Sequence, residues 1–132
     1  MTKVEYFKQL EVWRKARCIQ KQIYQITKTF PEFEQYALSV QMNRTAVSIT
    51  ANIAEGLGRQ SWAENMRFCR ISRGSAFELR DHLTTAYDEK YISGNVCDEL
   101  DKDIIGVVQM LNGYIRSMTR REASRVPKYS LS

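Results

Sequence analysis

The chain has almost no proline. Only Pro31 and Pro127 occur in 132 residues, and none falls between 32 and 126. A run of that length, with only six glycines in the whole chain, lacks the turn residues that many short strands require. Histidine is nearly absent as well. His82 stands alone, with Leu79 three residues before it and Glu78 four before. A di-iron bundle needs two Glu-x-x-His repeats and two further carboxylates, so that centre is excluded in its usual form. Cys18, Cys69 and Cys97 are scattered, with no Cys-x-x-Cys pair. That excludes zinc sites of the usual spacing, and the odd count speaks for free thiols in a reducing compartment.

Other chemistry is missing for related reasons. Cys69 and His82 read as members of one helix, too far apart for a nucleophile–base dyad within one subunit. Gly56-Leu57-Gly58-Arg59 follows no strand and precedes no Lys-Ser/Thr, so it is not a phosphate loop. The N-terminus has no apolar h-region, and no uncharged apolar run approaches the roughly 20 residues that span a bilayer. These absences give the expectation of a cytoplasmic, non-enzymatic chain. No cofactor, metal, small-molecule substrate or membrane contact is expected.

What is present is helical spacing. In a first helix, from about Lys8 to Lys28, Val12, Ala16, Ile19, Ile23, Ile26 and Phe30 alternate at steps of four and three, one apolar seam. Arg14, Arg17, Lys21 and Lys28 fall opposite it. They fit a basic nucleic-acid stripe, or more simply the solvated back that any amphipathic helix needs. Trp13 and Tyr24 flank the seam, where they could stack on bases or, more simply, edge the core or a subunit contact. Phe30-Pro31 closes the helix, and Thr29-Phe30-Pro31-Glu32 matches a capping box leading into a helical turn near 32–36. A second helix, about 38–57, carries the seam Leu38, Met42, Ala46, Ile49, Ile53 and Leu57. Gly56 and Gly58 are expected to give it a left-handed exit. Ser61-Trp62-Ala63-Glu64 is a second capping box. It opens a third helix running to about Lys90, with seam residues Met66, Cys69, Ser72, Ala76, Leu79, Leu83 and Ala86. Gly74 lies mid-helix there, where the expected reason is close approach of another backbone. Ser93 or Asn95 caps a fourth helix, about 96–119, with Cys97, Leu100, Ile104, Val107, Val108, Leu111, Ile115 and Met118 inward. Short connections make neighbours antiparallel. The expected fold is all-α, an antiparallel up-and-down four-helix bundle over 1–119, followed by a short, flexible basic tail over 120–132. Residues 116–132 hold Arg116, Arg120, Arg121, Arg125 and Lys128 against Glu122, four of the chain's five net positive charges.

The second helix is unusual. Between Gln35 and Leu57 only Arg44 and Glu55 are charged. The side away from its seam carries Val40, Val47, Thr50, Ala51 and Ala54. A helix that is apolar nearly all round is covered nearly all round, which implies an oligomer interface with another copy of the chain. Beside it runs a polar strip, Gln41, Arg44, Ser48, Asn52, Glu55 and Arg59, also spaced at three and four. It reads as a ligand strip or shared polar network, or equally as ordinary surface polarity and satisfied hydrogen bonds. Candidate nucleic-acid contacts are Arg67, Arg70, Arg73, Arg120, Arg121, Arg125 and Lys128, joined by Arg59 and Arg80. A solvated arginine face is the competing reading.

Several of these residues match a known pattern. Phe30-Pro31 with Glu34, Tyr36 and Leu38, then Gln41, Arg44, Ser48-Ile49, the block Asn52-Ile53-Ala54-Glu55-Gly56, and Gly58-Arg59 resemble the 23S rRNA intervening-sequence protein family. Gly74-Ser75, Glu78-Leu79 and Tyr91-Ile92 continue the resemblance, which spans about residues 7–92. Ala37 stands where that family often has glycine, and Asn43 where a basic residue is common. The resemblance implies a four-helix bundle, often a homopentameric ring, sometimes labelled a ribosomal protein. More distantly the chain is similar to the accessory protein of diversity-generating retroelements, which binds nucleic acid and a reverse transcriptase. Two functions are thus expected as candidates. One is an oligomeric RNA- or nucleic-acid-binding protein with rRNA among its partners. The other is a protein-interaction scaffold docking another protein through the second helix.

Overall fold

The structure, a computed structural model, describes residues 6–125. Four α-helices carry it: α1 Glu11–Thr27, α2 Leu38–Gly58, α3 Trp62–Asp88 and α4 Gly94–Arg125, with 3-10 turns at Phe7–Gln9 and Glu32–Glu34. No strand occurs among the described residues, and none of their helices is long and apolar enough to cross a membrane.

The four seams close on one core. Ile19 and Ile23 of α1, Met42 and Ile49 of α2, Met66, Leu79 and Leu83 of α3, and Ile104, Val107 and Leu111 of α4 are all essentially inaccessible to water. Burying each such side chain contributes roughly 1.5–3 kcal/mol, so the core, and not helix propensity, holds the bundle. Ile26, Leu38, Cys97, Ile115 and Met118 pack at its margin, half-buried. Ser72 and Ser75, both buried, find partners. Ser72 donates to the Ile49 carbonyl at 2.7 Å, and Ser48 and Ser75 share a 2.8 Å hydrogen bond. These pairs show α2 and α3 running antiparallel. Arg73 bonding Asn112 and Arg80 bonding Asp101 do the same for α3 and α4. Thr27 with Asn43, and Gln20 with Thr50, do so for α1 and α2. Contacts between α1 and α4 complete the ring of four.

Several local expectations are corrected. α1 begins at Glu11, because a 3-10 turn and an extended Leu10 precede it, with Phe7 set edge-on to Trp13 at 5.2 Å. The expected capping box at Thr29 does not form. The Thr29 hydroxyl donates back to the Ile26 carbonyl at 2.6 Å, and Pro31 caps the 3-10 turn without a side-chain bond. The end of α1 is instead held by Gln35 Nε2 and Ser39 Oγ, both donating to the Thr27 carbonyl. Ser61 does cap α3, accepting from the Glu64 N–H at 3.0 Å, and Ser93 caps α4 through the Val96 N–H.

The glycines do not take the roles expected of them. No glycine among the described residues has positive φ, and α2 exits through an extended Arg59. Gly56 is where backbones approach: a Cβ there would lie 2.9 Å from Asn65 Oδ1 and 3.1 Å from Phe68 Cβ. Gly74, by contrast, is exposed and faces open space. The fourth helix also outruns the expected end at 119 and continues to Arg125. No proline interrupts residues 119–125, and the half-buried Met118 and Glu122 keep that stretch against the bundle. Lys128 lies outside the described residues.

Candidate functional site

Two surfaces stand out, and α2 contributes to both. On its outward side the apolar spacing does what period 3.6 dictates: residues at steps of three and four share a face. Val40 is 39% exposed, Ala51 is exposed, and Val47 and Ala54 are half-buried. These four lie together on a side that the described chain leaves open. Thr50 does not join them. It is 7% exposed and donates to Gln20 Oε1 at 3.1 Å and to the Val47 carbonyl at 3.0 Å. Its position turns it toward α1, and its hydroxyl is satisfied inside the protomer. In the turn before α2, Phe33 and Tyr36 are 72% and 90% exposed.

The polar strip divides. Ser48 and Asn52 turn toward α3: Asn52 Nδ2 donates to the Ser48 carbonyl and hydroxyl, and Ser48 meets Ser75. They form a satisfied interhelical network. Gln41, Arg44, Glu55 and Arg59 are exposed. Glu55 accepts from Arg59 Nη2 at 2.6 Å, one turn apart on α2 and its exit. Such an exposed pair adds little stability, but it fixes where the Arg59 side chain lies.

The second surface is the bundle end where α2 passes into α3 and α4 finishes. Arg59, Trp62, Asn65, Met118, Arg121, Glu122 and Arg125 line an open cleft there of about 300 Å³. Glu122 is the one acid in that lining. Arg120, Arg121, Ser124 and Arg125 continue the basic surface around the tip of α4. Arg67 projects from the first turns of α3, its Cζ 5.0 Å from the Phe68 ring centroid, and the Arg59 Cζ lies 5.2 Å from the same centroid. Arg70 is exposed one turn further along. Arg73 and Arg80, by contrast, are tied to α4 through Asn112 at 2.8 Å and Asp101 at 2.7 Å. Arg17 and Lys21 of α1 and Lys28 just beyond its end line a separate shallow groove with Tyr24.

The sequence pattern gives Phe68 no role and places Trp62 only within the capping box at Ser61. The missed signal was Gly56. A glycine inside a helix admits a neighbouring helix closely, and the chain brought there is the stretch of α3 bearing Asn65 and Phe68. Asn65 is buried and donates to the Tyr114 hydroxyl at 3.0 Å, tying the α2–α3 corner to α4. The Trp62 indole N–H is buried without an acceptor.

The nucleophile candidates sit in unreactive surroundings. Burial pushes the Cys69 thiol up to about 11, against a smaller opposing effect of Arg70. Cys97 is also raised, first by burial and then by neighbouring aspartates. His82 Nε2 is buried and 3.6 Å from Glu78 Oε1, too long for a hydrogen bond. No group of three or more His, Cys, Asp or Glu side chains among the described residues is arranged to hold a metal ion.

The family described as 23S rRNA-intervening sequence protein matches residues 8–113. A crystal structure of a protein of unknown function from the S23 ribosomal protein family of Bacteroides thetaiotaomicron is similar. Its TM-score is 0.73 at 25% identity, covering 79% of this chain and 97% of that one. No curated protein matches.

Proposed function

The chain belongs to the 23S rRNA-intervening sequence protein family, and from that premise we propose that it is a non-catalytic bundle that assembles with its own copies and binds the phosphate backbone of RNA. The observation that carries the reading is the cleft at the bundle end, where Arg59, Arg121 and Arg125 converge with Glu122 as the only acid in the lining. Guanidinium groups present planar forks of donors that match phosphate oxygens. A cluster held by helix ends on a folded scaffold meets a polyanion with little ordering cost. The outward face of α2 supports the assembly half of the reading. Small residues along Val40, Val47, Ala51 and Ala54 let a second helix approach closely, and a ring of five is the form proposed.

Binding of this kind is electrostatic and salt-steep. Single-stranded nucleic acid releases roughly 0.7 counterion per phosphate neutralised. About four arginine contacts therefore weaken binding on the order of tenfold to a hundredfold between 50 and 200 mM salt. Fluorescence anisotropy with a labelled uridine 20-mer tests this. Salt-steep binding that weakens in the Arg121→Gln/Arg125→Gln double variant is expected. Salt-independent binding, or none at low salt, removes the reading. The exposed Phe33 and Tyr36 at the head of α2 favour a second reading, a scaffold that docks another protein there. That reading requires a protein complex lost on changing this face, with no RNA retained.

A further inference from the structure

We propose that Arg59 and Arg67, both set against the ring of Phe68, form a two-pronged phosphodiester site at the α2–α3 corner, with Phe68 as the residue that positions them. The inference rests on the RNA-binding reading above and assigns residues to it that the arginine count alone does not single out.

The geometry is specific. The two Cζ atoms stand 5.2 and 5.0 Å from one ring centroid, within the range where a guanidinium is attracted to an aromatic face. These two legs keep the two charges within about 10 Å of each other, close enough for both to meet one stretch of a phosphodiester strand. Phe68 is itself anchored: it is half-buried, and its Cβ lies where Gly56 leaves room. Arg59 is held a second time, by Glu55 at 2.6 Å through Nη2. Free arginine side chains lose rotamer entropy when fixed. Here that cost is partly met before a ligand arrives. Arg59 also lines the basic cleft with Arg121 and Arg125, so the site continues through Arg59 into a track of positive charge. A track suits a strand of repeating phosphates better than a single carboxylate, and an acidic peptide is the alternative that the test must reject.

The experiment uses the full-length protein and the uridine 20-mer across 50–200 mM salt, with each variant's fold checked by thermal melting. Arg59→Gln and Arg67→Gln are each expected to flatten the salt dependence by about one phosphate contact. Phe68→Leu, which keeps both charges, is expected to weaken binding about 2–5-fold. Phe68→Tyr, which keeps the ring, restores what Phe68→Leu loses. Polyglutamate should compete far less well than unlabelled RNA. Wild-type binding with a slope unchanged in both arginine variants overturns this inference alone. Equal loss in Phe68→Leu and Phe68→Tyr, or competition by polyglutamate as strong as by RNA, also overturns it alone. Absence of wild-type binding overturns the RNA reading and this inference with it.

Discussion

At the scale of single residues, the junction between α3 and α4 carries the sharpest tests. Lys90 has φ 65°, the one non-glycine residue with positive φ among those described. Its N–H bonds the Tyr87 carbonyl, and the Tyr91 N–H bonds the Ala86 carbonyl, the paired bonds of a Schellman closure. A side chain there is strained by roughly 1–2 kcal/mol, and glycine gives some of that back as unfolded-chain entropy. Lys90→Gly should therefore raise stability by about 1 kcal/mol net in a thermal melt, and a lowered melting temperature would contradict it. Next to it, the Tyr91 hydroxyl donates to Glu34 Oε2 at 2.8 Å. That bond is the main reason the phenol is raised from 10.0 to about 12. A raised folded value means the contribution to stability is whole below about pH 10 and is lost as pH climbs toward 12. An ultraviolet titration should show Tyr91 ionising late, as does Tyr114, whose phenol burial also raises, and only Tyr91 returning toward the ordinary range in Glu34→Gln. Glu34 and Tyr91 both belong to the family pattern visible in the chain. Their contact was not legible, because 57 residues separate them and no local rule pairs them.

At the scale of elements, the helices were legible and their ends less so. Seams such as Ile19/Ile23 and Ile104/Leu111 repeat long enough to fix type and face. Cap positions depend on competing local bonds, as at Thr29, where a back-bond to Ile26 displaced the expected box. Glycine roles were misassigned because a lone sequence does not say which helix face a neighbour occupies. The correction yields a paired test of opposite sign. Gly56→Ala must push Asn65 and Phe68 aside. Overpacking costs roughly 1–3 kcal/mol, against a gain of about 1 kcal/mol in helix propensity. A net loss is expected. Gly74→Ala meets open space and should gain roughly 0.5–1 kcal/mol. Denaturant midpoints that move both variants in one direction would contradict this division of roles.

At the scale of the whole molecule, the interior of the bundle and the outward face of α2 differ in how far they are closed. The interior closes on one core, yet the outward face of α2 leaves Val40 and Ala51 open to water. The apolar character of that face was legible from the shortage of charge between Gln35 and Leu57. The basic end was legible only in part. The arginines of residues 120–125 were visible, but they looked like a loose tail, since low apolar periodicity conceals a polar helix. Their convergence with Arg59 depends on α4 continuing past the bundle body. If α2 meets a copy of itself, Val47→Glu buries an unpaired charge at the seam and should dissociate the assembly while circular dichroism stays helical.

Light scattering coupled to size-exclusion chromatography, run with and without the uridine 20-mer at low and high salt, is the most direct measurement of the central claim. The expected result is a mass several times that of one protomer, gaining RNA at low salt and shedding it at high salt. A lone protomer whose mass the RNA leaves unchanged would contradict it.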